Sequence, residues 1–170
     1  MTTPNRKNPI AGAGVNQKSV LSNGLRIVTE AVPHFHSAAV GIWLNKGPRD
    51  ETGAENGLTH FLEHMAFKGT PRRTVLDIAR EIDQLGGMCN AFTSKDLTTY
   101  LVSLPANKLE LWALLESDRM KNAVLREFYT EREVIREERR RSYETDPGGL
   151  LYETLLTTAF TVHPYRNPII

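Results

Sequence analysis

Two short turns, each flanked by strand-like segments, constrain the fold of this chain more than any other feature of its sequence. The first is the Asn-Gly pair in SVLSNGLRIVTEAV (residues 19–32), and the second is the SKD turn in MCNAFTSKDLTTYLVSL (residues 88–104). Strands joined by so few residues can pair only in antiparallel fashion, because a parallel pair needs a long crossover connection. The apolar run AAVGIWLN (residues 38–45) predicts a buried third strand between the two pairs.

Helical periodicity fills most of the remaining chain. In TVLDIAREIDQLG, the apolar side chains Val75, Ile78, Ala79 and Ile82 recur at the spacing of one helix face. Apolar patterns predict four more helices, at about residues 58–68, 106–120, 126–144 and 148–160. Hairpins mixed with helices predict an α+β fold, a two-layer sandwich of a largely antiparallel sheet with helices packed on one face.

The composition predicts one domain and excludes several kinds of partner. Residues 1–17 are rich in Pro, Gly and Asn, which indicates a flexible tail, and residues 18–170 predict a single folded domain. A formal net charge of +1 gives no strong electrostatic field that would attract nucleic acid. The longest apolar run, residues 38–44, is too short to span a membrane. The tail lacks the apolar centre of a secretory signal, so we expect a cytoplasmic protein.

The segment HFLEH places two imidazoles and a carboxylate on one face of a predicted helix. Each helical residue turns by about 100°, so the side chains of His60, Glu63 and His64 share about a third of the circumference. Imidazoles at i and i+4 can bind one tetrahedral metal ion, and zinc fits this ligand set. Glu63 is placed to accept a proton from water beside such a metal. The competing interpretation is that these are two ordinary histidines with satisfied hydrogen bonds.

A hydrolytic zinc site needs a third protein ligand, and the acidic segment YTEREVIREERRRSYE is its best source. Glu131, Ile135 and Glu138 form one i, i+4, i+7 stripe, which predicts an inward-facing side of the helix. We therefore predict Glu138 as the ligand and Glu131 as a carboxylate that orients a ligand histidine. Glu137 lies about 100° away from Glu138 and should face solvent. The remaining histidines, His34, His36 and His163, are expected in loops.

Three blocks in order, NGLTHFLEHMAFKGT, GGMCNAFTSKDLTTY and EREVIREE, make the chain resemble the pitrilysin family of zinc metallopeptidases, which includes insulin-degrading enzyme and the mitochondrial processing peptidase. H-x-x-E-H is the inverted zinc-peptidase motif. The resemblance implies one zinc ion (Zn²⁺) per chain, held by His60, His64 and Glu138, with Glu63 as general base and Glu131 nearby. The spacing from His64 to Glu138 is slightly shorter than the family pattern, so Glu137 stays open as an alternative ligand.

The resemblance also implies a peptide substrate. In the family, the strand that matches Asn90, Ala91 and Phe92 binds substrate by strand addition, whereas the residues alone favour an ordinary sheet strand after a Gly-Gly turn. Family members contain two related halves, and residues 18–170 resemble the N-terminal catalytic domain, truncated at its C-terminal end. The expected partner is the missing C-terminal half or a homologous subunit, which provides the arginine and tyrosine that stabilise the oxyanion.

The predicted function is therefore that of a zinc-dependent endopeptidase acting on peptides or unfolded segments, with low activity expected for this fragment alone. The alternative is a non-catalytic peptide-binding subunit or an inactive fragment of such a peptidase. A lyase with an H-x-x-E-H helix is a third possibility, but its chemistry requires two cysteines and this chain has only Cys89.

Overall fold

The computed structural model describes residues 15–170, which contain five strands and five α-helices. The strands are β1 Val15–Val20, β2 Arg26–Ala31, β3 Ser37–Leu44, β4 Met88–Thr93 and β5 Thr98–Pro105. The helices are α1 Leu58–Met65, α2 Val75–Gln84, α3 Leu109–Asn122, α4 Phe128–Arg139 and α5 Pro147–Ala159. The chain divides into two compact units between His36 and Ser37. The predicted α+β class is confirmed.

The first unit contains the hairpin formed by β1 and β2. The two strands pair antiparallel, with Val15 opposite Ala31 and Val20 opposite Arg26. Gly24 at the turn has a φ of +87°, a conformation that glycine adopts without steric cost. The predicted Asn-Gly hairpin is therefore confirmed. Most of the tail expected over residues 1–17 lies outside the described residues, and its last three positions, residues 15–17, belong to β1.

The second unit is built on a three-stranded antiparallel sheet in the order β3-β5-β4. The central strand β5 buries Tyr100, Val102 and Leu104 on one face. Helices α2 and α3 pack there, and the core is formed by Ile78, Leu85, Val102, Leu104, Trp112 and Leu115. Burial of apolar side chains between the sheet and these helices is the main stabilising contribution to this layer. The arrangement leaves β4 at one edge of the sheet.

Strand β3 differs from the buried strand that its apolar sequence predicts. It lies at the other edge of the three-stranded sheet, and within it Trp43 and Leu44 are 63% and 42% exposed. The Trp43 ring lies against Gly41, where an added Cβ would come within 2.4 Å of the ring. A run of apolar residues is typical of a strand covered on both faces, but it does not determine whether other layers actually cover that strand.

Two helix ends also differ from the sequence-based expectation. Helix α1 ends at Met65 rather than near residue 68, and Gly69, with a φ of +104°, turns the chain away. The α-helical geometry of α4 ends at Arg139, and a wider π-helical turn follows over Arg140–Glu144. Among residues 15–170, no helix is both long and apolar enough to cross a membrane.

Candidate metal centre

Helix α1 presents two imidazoles side by side, as the i, i+4 spacing predicts. The ring centroids of His60 and His64 lie 4.7 Å apart. His60 is buried and His64 is half-buried. Burial, followed by the neighbouring His64, lowers the pKa of His60 below its ordinary value. A lowered pKa keeps the His60 imidazole neutral near pH 7, which is the form that binds a metal ion.

The N-terminus of α1 is anchored by Glu51, a residue that the sequence placed only in a polar connection. Gly57 at the N-cap has no side chain to cap the helix. Glu51 Oε1 accepts hydrogen bonds from the Thr59 backbone N–H at 2.6 Å and from Thr59 Oγ1 at 2.7 Å. Its Oε2 accepts from the Gly57 N–H at 2.8 Å. A carboxylate at this end of a helix satisfies free N–H groups and complements the helix dipole.

We expect Glu51→Ala to lower the free energy of unfolding by about 1–2 kcal/mol, as the loss of a helix cap does. Urea unfolding of the isolated chain measures the change. Glu55→Ala is the matched control, because in the described part of the chain the Glu55 carboxylate bonds only to Thr52 within one exposed turn. Equal losses for the two variants would contradict an anchoring role for Glu51.

Glu138 on α4 lies opposite the two imidazoles. Its Oε1 is 3.8 Å from His60 Nε2, and its Oε2 is 3.3 Å from His64 Nε2. One ligand atom from each of the three side chains lies within 4.8 Å of the others. Zinc binds nitrogen at about 2.0–2.1 Å in a tetrahedron, which separates ligand atoms by about 3.4 Å. The donor chemistry and the spacing of the three residues therefore fit a zinc ion.

The structure distinguishes Glu138 from Glu137, which the sequence left open. The Glu137 side chain is 66% exposed and pairs with Arg140 on the helix surface. The Glu138 side chain is 29% exposed and turns inward with Ile135. Only Glu138 joins His60 and His64 in the group of three.

His163, expected in a loop, lies just before a short 3₁₀ turn, where its Nδ1 accepts a hydrogen bond from the Tyr165 N–H.

Glu131, seven residues before Glu138 on the same stripe, lies on the far side of the His64 ring. Its Oε1 is 2.8 Å from His64 Nδ1, and its other oxygen pairs with Lys68. Burial raises the pKa of Glu131, but the hydrogen bonds from Lys68 and His64 outweigh it and hold the pKa below its usual value. An ionised Glu131 that accepts the Nδ1 proton leaves the Nε2 lone pair of His64 directed at Glu138.

Glu63 of α1 makes a hydrogen bond to the sheet. It is 8% exposed, and its Oε2 accepts a hydrogen bond from Thr93 Oγ1 at 2.6 Å. Burial raises the pKa of Glu63, and the Thr93 hydrogen bond opposes that rise. Thr93 was not among the site residues predicted from the sequence. The position of Thr93 two residues after Ala91 could have identified it, because this spacing places both side chains on the same face of β4.

The predicted substrate-binding residues lie on β4, at the edge of the three-stranded sheet. Ala91 and Phe92 line a cleft of about 760 Å³, together with His60, Glu63, His64 and Glu138. The Asn90 side chain accepts a hydrogen bond from the Ala91 N–H at 2.9 Å. The structure thus brings the predicted strand and the predicted metal ligands to one cleft.

Comparisons with known proteins give a consistent result. The family model described as insulinase (peptidase family M16) matches residues 26–170. A Streptomyces coelicolor protein named as an uncharacterized zinc protease is 40% identical over 161 residues, which cover 94% of this chain and 35% of that protein. The mitochondrial-processing peptidase subunit beta of Lentinula edodes is 36% identical over 155 residues, covering 89% of this chain and 33% of that subunit.

A solved structure is also similar. The crystal structure of a protease from Helicobacter pylori superposes with a TM-score of 0.86 and 30% identity, over 91% of this chain and 38% of that chain. The present chain therefore spans about a third of the length of these relatives.

Proposed function

Because the chain belongs to the insulinase family, peptidase family M16, we propose that it carries the catalytic centre of a zinc-dependent endopeptidase. Metallopeptidase chemistry is the activity for which relatives of this family are named. The observation that carries the proposal is the convergence of His60, His64 and Glu138, with the Glu63 carboxylate on the same helix and all four in one cleft.

In this proposal, His60, His64 and Glu138 hold one zinc ion per chain. When bound, zinc supplies a Lewis acid that polarises a carbonyl group and lowers the pKa of water to about 7. Glu131 keeps the His64 ring in place through the Nδ1 proton, and Lys68 keeps Glu131 ionised. The His64 imidazole thus has a partner that fixes its orientation.

Glu63 acts as the general base. Its carboxylate takes a proton from water as the water oxygen attacks the carbonyl carbon of the scissile peptide bond. The same proton then passes to the amide nitrogen as the carbon–nitrogen bond breaks, which leaves a carboxyl and an amino product. General acid–base catalysis of this kind contributes about 10²–10⁴-fold to the rate. The raised pKa of Glu63 brings its basicity closer to what such a transfer needs.

Strand β4 receives the substrate. An edge strand offers unpaired backbone groups, to which an extended peptide adds as a further strand. Asn90, Ala91 and Phe92 would contact the peptide, and Ala91 and Phe92 already line the cleft that contains Glu63. Peptides and unfolded protein segments are the substrates that can adopt this extended form.

The proposed activity requires zinc. The test is hydrolysis of a quenched fluorescent peptide by a form with the length of the relatives, called here the full-length protein. Turnover should stop when a chelator removes the metal and return when zinc is added. Zinc binding and peptide binding without any hydrolysis would instead support a non-catalytic peptide-binding subunit.

A second unit, a C-terminal half or a homologous subunit, completes the site in our proposal. Loss of one oxyanion donor costs about 10²–10³ in rate, and closure over a substrate excludes water. We expect the isolated chain to bind zinc but to turn over peptide at least about 10²-fold more slowly than a form with the length of its relatives. Parallel assays of the two forms, at equal zinc occupancy, measure the ratio. Equal turnover by a monomeric isolated chain would refute the need for a second unit.

A further inference from the structure

The last residue of β4, Thr93, makes the one side-chain hydrogen bond that the Glu63 carboxylate has within residues 15–170. The bond is 2.6 Å long, in the range of about 2.5–2.7 Å for a hydroxyl donating to a carboxylate. It joins Oγ1 of Thr93 to Oε2 of Glu63 and leaves Oε1 without a protein partner in the described part of the chain. The two oxygens of the proposed base are therefore not equivalent.

A carboxylate needs such a constraint in this position. The terminal torsion of glutamate is broad and roughly two-fold, so the carboxylate plane is poorly fixed by the side chain itself. Glu63 is buried apart from the part that lines the cleft, so few solvent contacts orient its carboxylate. Thr93 is β-branched and belongs to a strand paired with β5 along its whole length, so its hydroxyl is held by the sheet. The hydrogen bond thus transfers the rigidity of the sheet to the carboxylate.

We infer that Thr93 is a positioning residue for the general base, an inference that depends on the proposed peptidase function. It fixes Oε2 of Glu63 so that Oε1 is free and correctly oriented to take the proton of water. Thr93 is also next to Phe92 in the strand proposed to receive substrate, so one strand aligns both the peptide and the base. Misplacement of a reacting group by about 1 Å can cost about 10²-fold in rate, which makes this alignment consequential.

The test compares Thr93→Val with Thr93→Ser in the full-length protein. Valine keeps the branched shape and removes the hydroxyl, whereas serine keeps the hydroxyl. We expect Thr93→Val to lower kcat about 10–100-fold, the usual effect of losing a hydrogen bond to a charged group, with KM nearly unchanged. Thr93→Ser should recover most of kcat. Zinc content, measured on the same samples, should be unchanged in both variants.

Thr99→Val provides the matched control on the neighbouring strand. Thr99 is fully buried, and its Oγ1 has no hydrogen-bond partner among residues 15–170, so removal of this hydroxyl should leave kcat unchanged. A double-mutant cycle with Glu63→Gln then separates positioning from general damage to the fold. If Thr93 acts through Glu63, Thr93→Val causes no further loss of kcat when Glu63 is already glutamine.

Any of four results would overturn the inference. An active wild-type protein with equal kcat in Thr93→Val would show that the hydroxyl does not position the base. Loss of zinc from Thr93→Val, or additive losses in the double mutant, would assign Thr93 a structural role instead. A wild-type protein that binds zinc but hydrolyses no peptide would refute the proposed function itself, and the positioning role with it.

Discussion

Glu63→Gln in the full-length protein should keep zinc and lose peptide hydrolysis, with kcat lower by about 10²–10⁴-fold, the contribution of general acid–base catalysis. Glutamine has nearly the same shape and can still accept the hydrogen bond from Thr93 at its amide oxygen, so the packing around α1 is preserved. It cannot accept the proton from water. Steady-state turnover of a quenched fluorescent peptide, with zinc content measured on the same sample, gives the result.

Glu137→Gln is the control for the Glu63 variant. Glu137 lines the same cleft, but its side chain is exposed and pairs with Arg140, so its loss should leave turnover close to that of the wild-type protein. Near-normal hydrolysis by Glu63→Gln would mean that another group takes the proton.

The second large effect is on metal binding. The wild-type chain should bind about one zinc ion, and Glu138→Gln or His64→Ala should weaken binding by more than about 100-fold. Loss of an outer partner of a metal ligand costs about 10–100-fold, and loss of a ligand itself costs more. Chelator competition on the isolated chain, combined with elemental analysis, measures both affinity and stoichiometry.

Glu137→Gln again provides the comparison, now for the choice between neighbouring carboxylates. We expect zinc affinity to be unchanged in this variant, because Glu137 does not face the imidazoles. A weaker site in Glu137→Gln with a normal site in Glu138→Gln would reverse the assignment of the third ligand.

Features that depend on local geometry were predictable from the sequence. The hairpin of β1 and β2 follows from Asn-Gly at its turn, because glycine supplies the positive φ that the turn needs. The shared face of His60, Glu63 and His64 follows from the helical repeat alone. The inward stripe is also confirmed: Glu131 is buried, Ile135 and Glu138 are half-buried, and the other residues of α4 except Arg139 are exposed.

Features that depend on which elements pack together were not predictable. Glu51, Lys68 and Thr93 were missed, because each has its role through a partner that only the fold brings near. A threonine in a strand has no pattern that distinguishes a hydroxyl in solvent from one that holds a carboxylate. The exposure of Trp43 was missed for a similar reason, since an apolar run does not reveal whether its strand lies at a sheet edge.

The cytoplasmic location stays a prediction.

The sequence by itself determined the class of fold, the two histidines and the carboxylate of α1, and the face of α4 that turns inward. Each of these features follows from a pattern that repeats every few residues along the sequence, so local backbone geometry fixes it without distant contacts. Only the tertiary structure decided that Glu138 rather than Glu137 meets the imidazoles, and that Thr93 bonds to Glu63. Those contacts join helix to helix and helix to strand across long stretches of chain. Side-chain packing between elements sets them, and no local repeat encodes which side chains will meet.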